Sequence, residues 1–217
     1  MGAPICFLEG TLIRTPEGER RIEDLRIGDE VVVHAGGSRP LKWIGHQVFK
    51  RRTARWLDSV EPILVRRGAL AAESPCRELY VSPNHALYVD GVLVPAKFLV
   101  NGRSIVQQAP LHAADQIHYL HVEFETHEVV FAEGAAAESF TPWGGREHFN
   151  NFAEYLRLYP NEAPAPVRFY APMVGNWSRI DRAVTHLRSA VAPLVDLRND
   201  MERIRDRLAE RAKALVG

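Results

Sequence analysis

The sequence predicts a mainly β domain of many short strands followed by a helical tail, and three observations carry that expectation. From Cys6 to about Phe140, short apolar and β-branched runs alternate with turns rich in Gly, Asp, Asn and Pro. Within that region, Asp90-Gly91 stands between Ala86-Leu87-Tyr88-Val89 and Val92-Leu93-Val94. That is a strong hairpin signal, because both turn residues tolerate the left-handed backbone a tight hairpin requires. Beyond Asn176 the apolar residues recur in steps of three and four instead of two.

Taken in order, Thr11 to Thr15 alternates as a strand, and Pro16-Glu17-Gly18-Glu19 turns the chain into a second short one. Ile22 to Asp29 reads as one helical or 3₁₀ turn ending at Gly28, and Glu30 to His34 as a buried strand. Ala35-Gly36-Gly37-Ser38 is a hairpin turn from which Arg39 to Phe49 returns, anchored by Trp43 and Ile44. Arg51 to Leu57 is basic and read as a loop or exposed strand. Ile63-Leu64-Val65 and Glu78 to Val81 are further strands, and Pro95 to Leu99 is a helical turn. Ile117 to Glu125 and Glu128 to Ala132 are expected to form the last strand pair. The spacing predicts an all-β domain, closed or folded over.

After Phe140 the texture changes. Residues 141–175 form a connector with helical spacing at Phe152, Tyr155 and Leu156 and a Pro-rich stretch from Asn161 to Pro172. Residues 176–217 are expected to be helical, capped at Asn176 or Ser178 and kinked or broken at Pro193. Ile180, Val184, Leu187, Val191, Leu194, Leu197, Met201, Ile204, Leu208 and Leu215 line one side. Such a stripe either packs on its own domain or forms a coiled-coil-like seam through which the chain associates with itself.

Composition excludes several function classes. At 217 residues the chain holds one domain of about 150 residues plus an appendage, or two small domains. Its 46% hydrophobic and 25% charged residues are ordinary for a soluble globular protein. Lys+Arg and Asp+Glu are both 27, and the zero balance argues against nucleic acid or an anionic membrane as partner. No run approaches a membrane span, and Met1 to Ile5 lacks the basic and apolar regions of a signal peptide. This fits a cytoplasmic protein or a piece excised from a longer precursor. Cys6 and Cys76 are too few for a disulfide framework or a four-cysteine zinc site, leaving a single disulfide as the alternative to two free thiols.

Cys6, almost at the start, is an odd place for a core cysteine. A cysteine that attacks the carbonyl of the residue before it converts an amide into a less stable thioester. The site must then distort the bond, protonate the departing nitrogen and stabilise the oxyanion. Ser82-Pro83-Asn84-His85 offers an imidazole, a hydroxyl and a side-chain amide at one turn. His118, His121 and His127 form a second cluster near the end of the β region. As a metal site these three would supply nitrogens, but no carboxylate or Cys spacing strengthens the case, and no metal or cofactor is assigned.

The ordered segments carry a resemblance. They are Cys6 to Ile13 with Thr15 to Glu19, Ile22 to Val31, Trp43-Ile44-Gly45, Tyr80 to Leu87, Leu93 to Lys97, Tyr119 to Gly134 and Glu138-Ser139-Phe140. Over residues 5–140 the chain resembles the Hint domain shared by hedgehog autoprocessing domains and inteins, most closely the bacterial hedgehog/intein branch. The resemblance implies a compact pseudo-twofold Hint horseshoe with an α-helical C-terminal extension. It implies Cys6 as the nucleophile attacking the Ile5 carbonyl, with the N-terminal flanking polypeptide as substrate. His85 would protonate the scissile nitrogen, and Ser82 would bind and polarise the bond, with Asn84 between them. His127 would be the late-strand histidine that assists in some members, with His121 as its neighbour.

Two departures narrow the chemistry. Splicing inteins end in His-Asn followed by Ser, Thr or Cys, whereas this chain has Glu138-Ser139 there. No Asn can cyclise, so the thioester is expected to be resolved by water or another external nucleophile, as in hedgehog-type processing. No sterol-recognition region is legible in the tail, so cholesterol transfer is not carried over. Only five residues precede Cys6 here, which implies a longer precursor or a stand-alone descendant that keeps the fold as an interaction module.

Overall fold

Turn chemistry sets most of the strand pairing. The computed structural model describes residues 4–113, 115–141, 145–162, 168–174 and 200–216. Its strands are β1 (Phe7–Leu8), β2 (Leu12–Thr15), β3 (Gly18–Arg21), β4 (Glu30–Val32), β5 (Ser38–Pro40), β6 (Trp43–Lys50) and β7 (Ile63–Val65). They continue with β8 (Leu79–Val81), β9 (Ala86–Val89), β10 (Val92–Pro95), β11 (Ile105–Gln107), β12 (Gln116–Glu123), β13 (Val129–Ala132) and β14 (Ala135–Glu138). Two α-helices follow, α1 (Phe152–Leu158) and α2 (Asp200–Val216).

Two six-stranded antiparallel sheets hold most of these strands. One runs β11-β7-β8-β1-β12-β6 and the other β10-β9-β14-β13-β2-β3, with β4-β5 as a separate ribbon. The fold is thus mainly β with a C-terminal helix, as predicted. Asp90 and Gly91, at φ 51° and 87°, close the β9-β10 hairpin in the conformation that pairs with the right-handed strand twist.

Two strand readings are corrected, and two strands had no counterpart in the sequence reading. Arg39 to Phe49 is not one return strand. β5 pairs with β4, and at Leu41-Lys42 the chain leaves that ribbon, so that Lys42 N–H donates to the Glu123 carbonyl and β6 runs beside β12. Nor do the two late strands pair with each other. β12 belongs to one sheet, while β13 turns at Glu133-Gly134 (φ 48° and 78°) and pairs with β14 in the other. β14 was hidden because Ala-Ala-Ala-Glu is a helix-forming run by propensity, and tertiary pairing overrides it. The short β11, on the free side of β7, was also missed.

The tail helix settles part of its own question. Met201, Ile204, Leu208 and Ala212 are each 1% exposed, and the first three share one core cluster with Leu70, Val89, Val92 and Leu99. Burying each larger side chain contributes roughly 1.5–3 kcal/mol. Around that face Arg207 donates to the Leu70 carbonyl, Arg205 to the Phe98 carbonyl and Arg211 to the Gly68 carbonyl. Met201, Ile204 and Leu208 of the stripe therefore pack on their own domain, while Leu215 is exposed. The cap, the Pro193 break and the stripe from Ile180 to Leu197 lie outside the described residues. Among the described residues, no helix is long and apolar enough to cross a membrane.

Candidate active site

Register brings the cysteine to its neighbours. β1 lies between β8 and β12, with Phe7 opposite Val81 on one side and Leu120 on the other. One residue earlier, Cys6 meets Ser82. Ser82 N–H donates to the Cys6 carbonyl at 2.9 Å. Cys6 N–H donates to Ser82 Oγ at 2.8 Å, and that hydroxyl donates to the Pro4 carbonyl at 2.9 Å. A hydroxyl can donate once while accepting, so a single side chain grips the backbone on both sides of Ile5. The nitrogen it holds is that of the Ile5–Cys6 bond. Ile5 itself is partly exposed, while Cys6 and Ser82 are 0% exposed.

The thiol points elsewhere. Side chains alternate along a strand, so Cys6 and Leu8 share one face and Phe7 takes the other. Cys6 accordingly packs with Leu8, Trp43, Ile117 and Tyr119, whereas Phe7 joins the larger cluster with Leu120 and Val122. The thiol's hydrogen-bond acceptor is Gln47 Oε1 at 3.7 Å. Burial pushes the Cys6 thiol far above its ordinary range, with a backbone hydrogen bond at Ile5 as a smaller opposing effect. At neutral pH Cys6 is a protonated thiol.

The imidazoles gather around Phe7. Its ring centroid lies 4.2 Å from that of His85 and 5.9 Å from that of His121, and those two imidazoles are 5.0 Å apart. Both are buried, and among the described residues neither nitrogen of either ring has a hydrogen-bond partner. Desolvation drives His85 down to about 3 despite the favourable carbonyls of Cys6 and Glu138 beside it. His121 falls well below its usual value through burial and the neighbouring His85 and His127. His127 falls to about 4, chiefly by burial. Its Nδ1 accepts the Tyr170 N–H at 3.1 Å, so the neutral ring carries its proton on Nε2, which faces Glu138 Oε2 at 3.7 Å.

Glu138 was expected only as a departure from the splicing pattern, yet its side chain enters this cluster. Oε1 accepts the Ala86 N–H at 2.7 Å, next to His85. Burial raises the carboxyl to about 8, so it is mostly protonated at neutral pH, with the Ala86 bond pulling the other way. The whole cluster is therefore uncharged at pH 7. That is how buried ionisable groups without partners resolve their desolvation cost.

Cys6, Ser82, His85, His121 and His127 are thus brought to one region, but Asn84 is not. Its amide oxygen accepts from Lys97 Nζ at 2.7 Å in an exposed contact. His118 also stands apart. It lies three residues from His121, on the opposite face of β12, with its ring near Glu9. That geometry prevents the three histidines from converging on a metal, and no metal-binding group of three is found among the described residues. Cys6 and Cys76 are both free. Sequence reasoning missed Gln47 and the placement of Glu138. The inward parity of Trp43, Gly45 and Gln47 was the available signal for the first. A surface cavity of about 510 Å³ lies farther along β1, lined by Leu8, Glu9, Thr11, Tyr80 and Glu133 among others, and Cys6 does not line it.

A two-sheet β fold with a cysteine at the entry of its first strand, a serine across the adjoining amide and buried imidazoles alongside defines a class of domain. The model of one family, described as "Hint domain", matches residues 5–144, and the chain belongs to that family. Solved structures similar to it include the bacterial intein-like domain from Clostridium thermocellum, at 14% identity and TM-score 0.43, covering 63% of this chain and 99% of that one. A variant of the MchDnaB-1 intein matches at 16% identity and TM-score 0.40, covering 62% of this chain and 99% of that one. A splice-inactive variant of the AceL NrdHF class 3 split intein matches at 13% and 0.42, covering 63% and 97%. No curated protein sequence matches this chain.

Proposed function

We propose that this Hint domain acts once on its own backbone, as a self-processing unit that cleaves the Ile5–Cys6 bond through a thioester. The Cys6 thiol gives up its proton, sulfur bonds to the Ile5 carbonyl carbon, and the C–N bond breaks as the departing nitrogen is protonated. The upstream polypeptide is left as a thioester on Cys6, whose α-amine is now free. Water then attacks the same carbon, releasing the upstream segment as a carboxylic acid and restoring the thiol.

The observation that carries this reading is the Ser82 clamp. It fixes the scissile nitrogen and the Pro4 carbonyl together. Holding the reacting peptide in one geometry is worth several kcal/mol of barrier. His85 lies beside the Cys6 backbone, on the side of β1 away from the thiol, and is suited to protonate the departing nitrogen. The resting protons oppose thiolate formation, which suits a single slow event. Cleavage rather than splicing is favoured because residues 138 and 139 are Glu and Ser. Ser139 is buried with its hydroxyl accepting the Glu128 N–H at 2.9 Å. Resolution by an external nucleophile is of the hedgehog type.

The test extends the amino terminus with a folded reporter and follows the fusion by mass spectrometry with and without dithiothreitol or hydroxylamine. Thiol-accelerated release at Ile5–Cys6, abolished by Cys6→Ala, is expected. A fusion that stays intact under every condition would sink the proposal.

A further inference from the structure

β6 is an edge strand, and an edge strand presents backbone donors and acceptors that need partners. Here they are met by side chains from beyond the family match. Asn151 Oδ1 accepts the His46 N–H at 2.9 Å, and its Nδ2 donates to the Ile44 carbonyl at 2.9 Å. Asn150 Oδ1 accepts the Val48 N–H at 2.8 Å, while Asn150 N–H donates to the His46 carbonyl at 2.7 Å. The Phe149 ring lies on Gly45 so closely that a Cβ there would sit 2.5 Å from its Cδ1. Gly45 is therefore a glycine because of this segment.

The same segment reaches the nucleophile through Gln47. Gln47 Nε2 donates to the His148 carbonyl at 3.1 Å. With the NH₂ group committed there, the amide cannot flip without losing that bond, and Oε1 is left facing Cys6 Sγ at 3.7 Å. A carbonyl oxygen accepts from S–H but repels S⁻, so this orientation favours the thiol over the thiolate. Of the ionisable residues of β12 that share this parity, Tyr119 has its hydroxyl committed to the Val60 carbonyl at 2.7 Å, His121 is held neutral by burial, and Glu123 is paired with Arg146.

We propose that Gln47 is a positioning residue that holds Cys6 as a protonated thiol, and that residues 146–151, outside the matched domain, set the orientation of its amide. The segment after the Hint domain is then part of the nucleophile's pocket, and loosening it from β6 raises thiol reactivity. The consequence for cleavage rests on the function proposed above, but thiol reactivity is read without it.

The experiment measures the rate of Cys6 alkylation by iodoacetamide at pH 8, by peptide mass spectrometry, in the full chain carrying Cys76→Ser. Gln47→Met keeps the shape and removes the acceptor, and is expected to alkylate about 3- to 10-fold faster. Gln47→Glu places a carboxylate against the sulfur and is expected to slow alkylation by a similar factor. A merely structural role would loosen the pocket in both variants, so acceleration in both overturns the proposal, as does no change in either. Asn151→Ala, which cuts two edge bonds, is expected to accelerate alkylation alone but to add little on top of Gln47→Met. Full additivity would show that the segment and the amide act independently, and would overturn the link between them. Because no cleavage is required, a fusion that never cleaves leaves this test standing.

Discussion

On one face of β1 the Cys6 thiol has an acceptor whose own orientation is fixed by a further hydrogen bond. Around the Phe7 ring, His85 and His121 are buried with no hydrogen-bond partner for any of their four ring nitrogens among the described residues. The first arrangement is what a well-ordered core looks like. The second carries a cost of roughly 1–3 kcal/mol for each unsatisfied group. The difference teaches where to look for chemistry. The thiol side is built to orient, and the imidazole side keeps neutral bases free beside the Cys6 and Glu138 carbonyls.

The largest expected effect breaks the imidazole side. His85→Ala in the reporter fusion should slow thiol-induced release by roughly 10²–10⁴-fold, the usual loss of a general acid–base group. Ser82→Ala should cost only about tenfold, because β1 pairing still holds the scissile peptide after one hydroxyl is lost. Equal losses would mean that His85 carries no proton.

Acidification compares the two faces without any activity. The pKa values of His85 and His127 are lowered from 6.5 to about 3 and about 4, so the folded state binds fewer protons than the unfolded chain. The stability this confers is present above about pH 6.5 and is lost as pH falls toward those values. Each histidine contributes a slope of about 1.4 kcal/mol per pH unit in that window. Urea midpoints should therefore fall between pH 6.5 and 4.5, and His121→Phe should flatten the fall, since His121 is shifted in the same direction. A variant with an unchanged profile would indicate that His121 is not buried as a neutral base.

Glu138 gives the smallest effect, with the opposite sign. Its carboxyl is raised from 4.5 to about 8, so the associated stability is full below about pH 4.5 and lost as pH rises through 8. Glu138→Gln keeps an acceptor for the Ala86 N–H and removes the titration. Its urea midpoint should hold steady from pH 6 to 9 while that of the wild type declines. Parallel profiles would place the ionised carboxylate in contact with solvent.

Much of the fold was legible because it is encoded locally. Asp90-Gly91 dictates its hairpin, Ile22 to Asp24 forms the short helical turn expected there, and the alternation of Thr11 to Thr15 yields β2. The candidate site was legible in part for a different reason, since its residues stand in a recognisable order along the chain. What stayed hidden was partnership. Ala135 to Glu138 has helix-forming composition and becomes a strand only because Val129 to Ala132 lies beside it, and nothing local in the sequence shows that the Asn84 amide oxygen accepts from Lys97.

The sequence by itself determined the fold class and the family, and it set Cys6 near one end of the matched domain and Glu138-Ser139 near the other. Short turns and strand periods are set within a few residues and need no distant partner. Only the tertiary structure decided that Ser82 would clamp the peptide 76 positions away and that Gln47 would face the sulfur from 41 positions away. It also turned Glu138 from a missing asparagine into a buried acid beside His127. Those outcomes depend on which strands share a sheet and in what register, and one step of register sends every side chain to the opposite face.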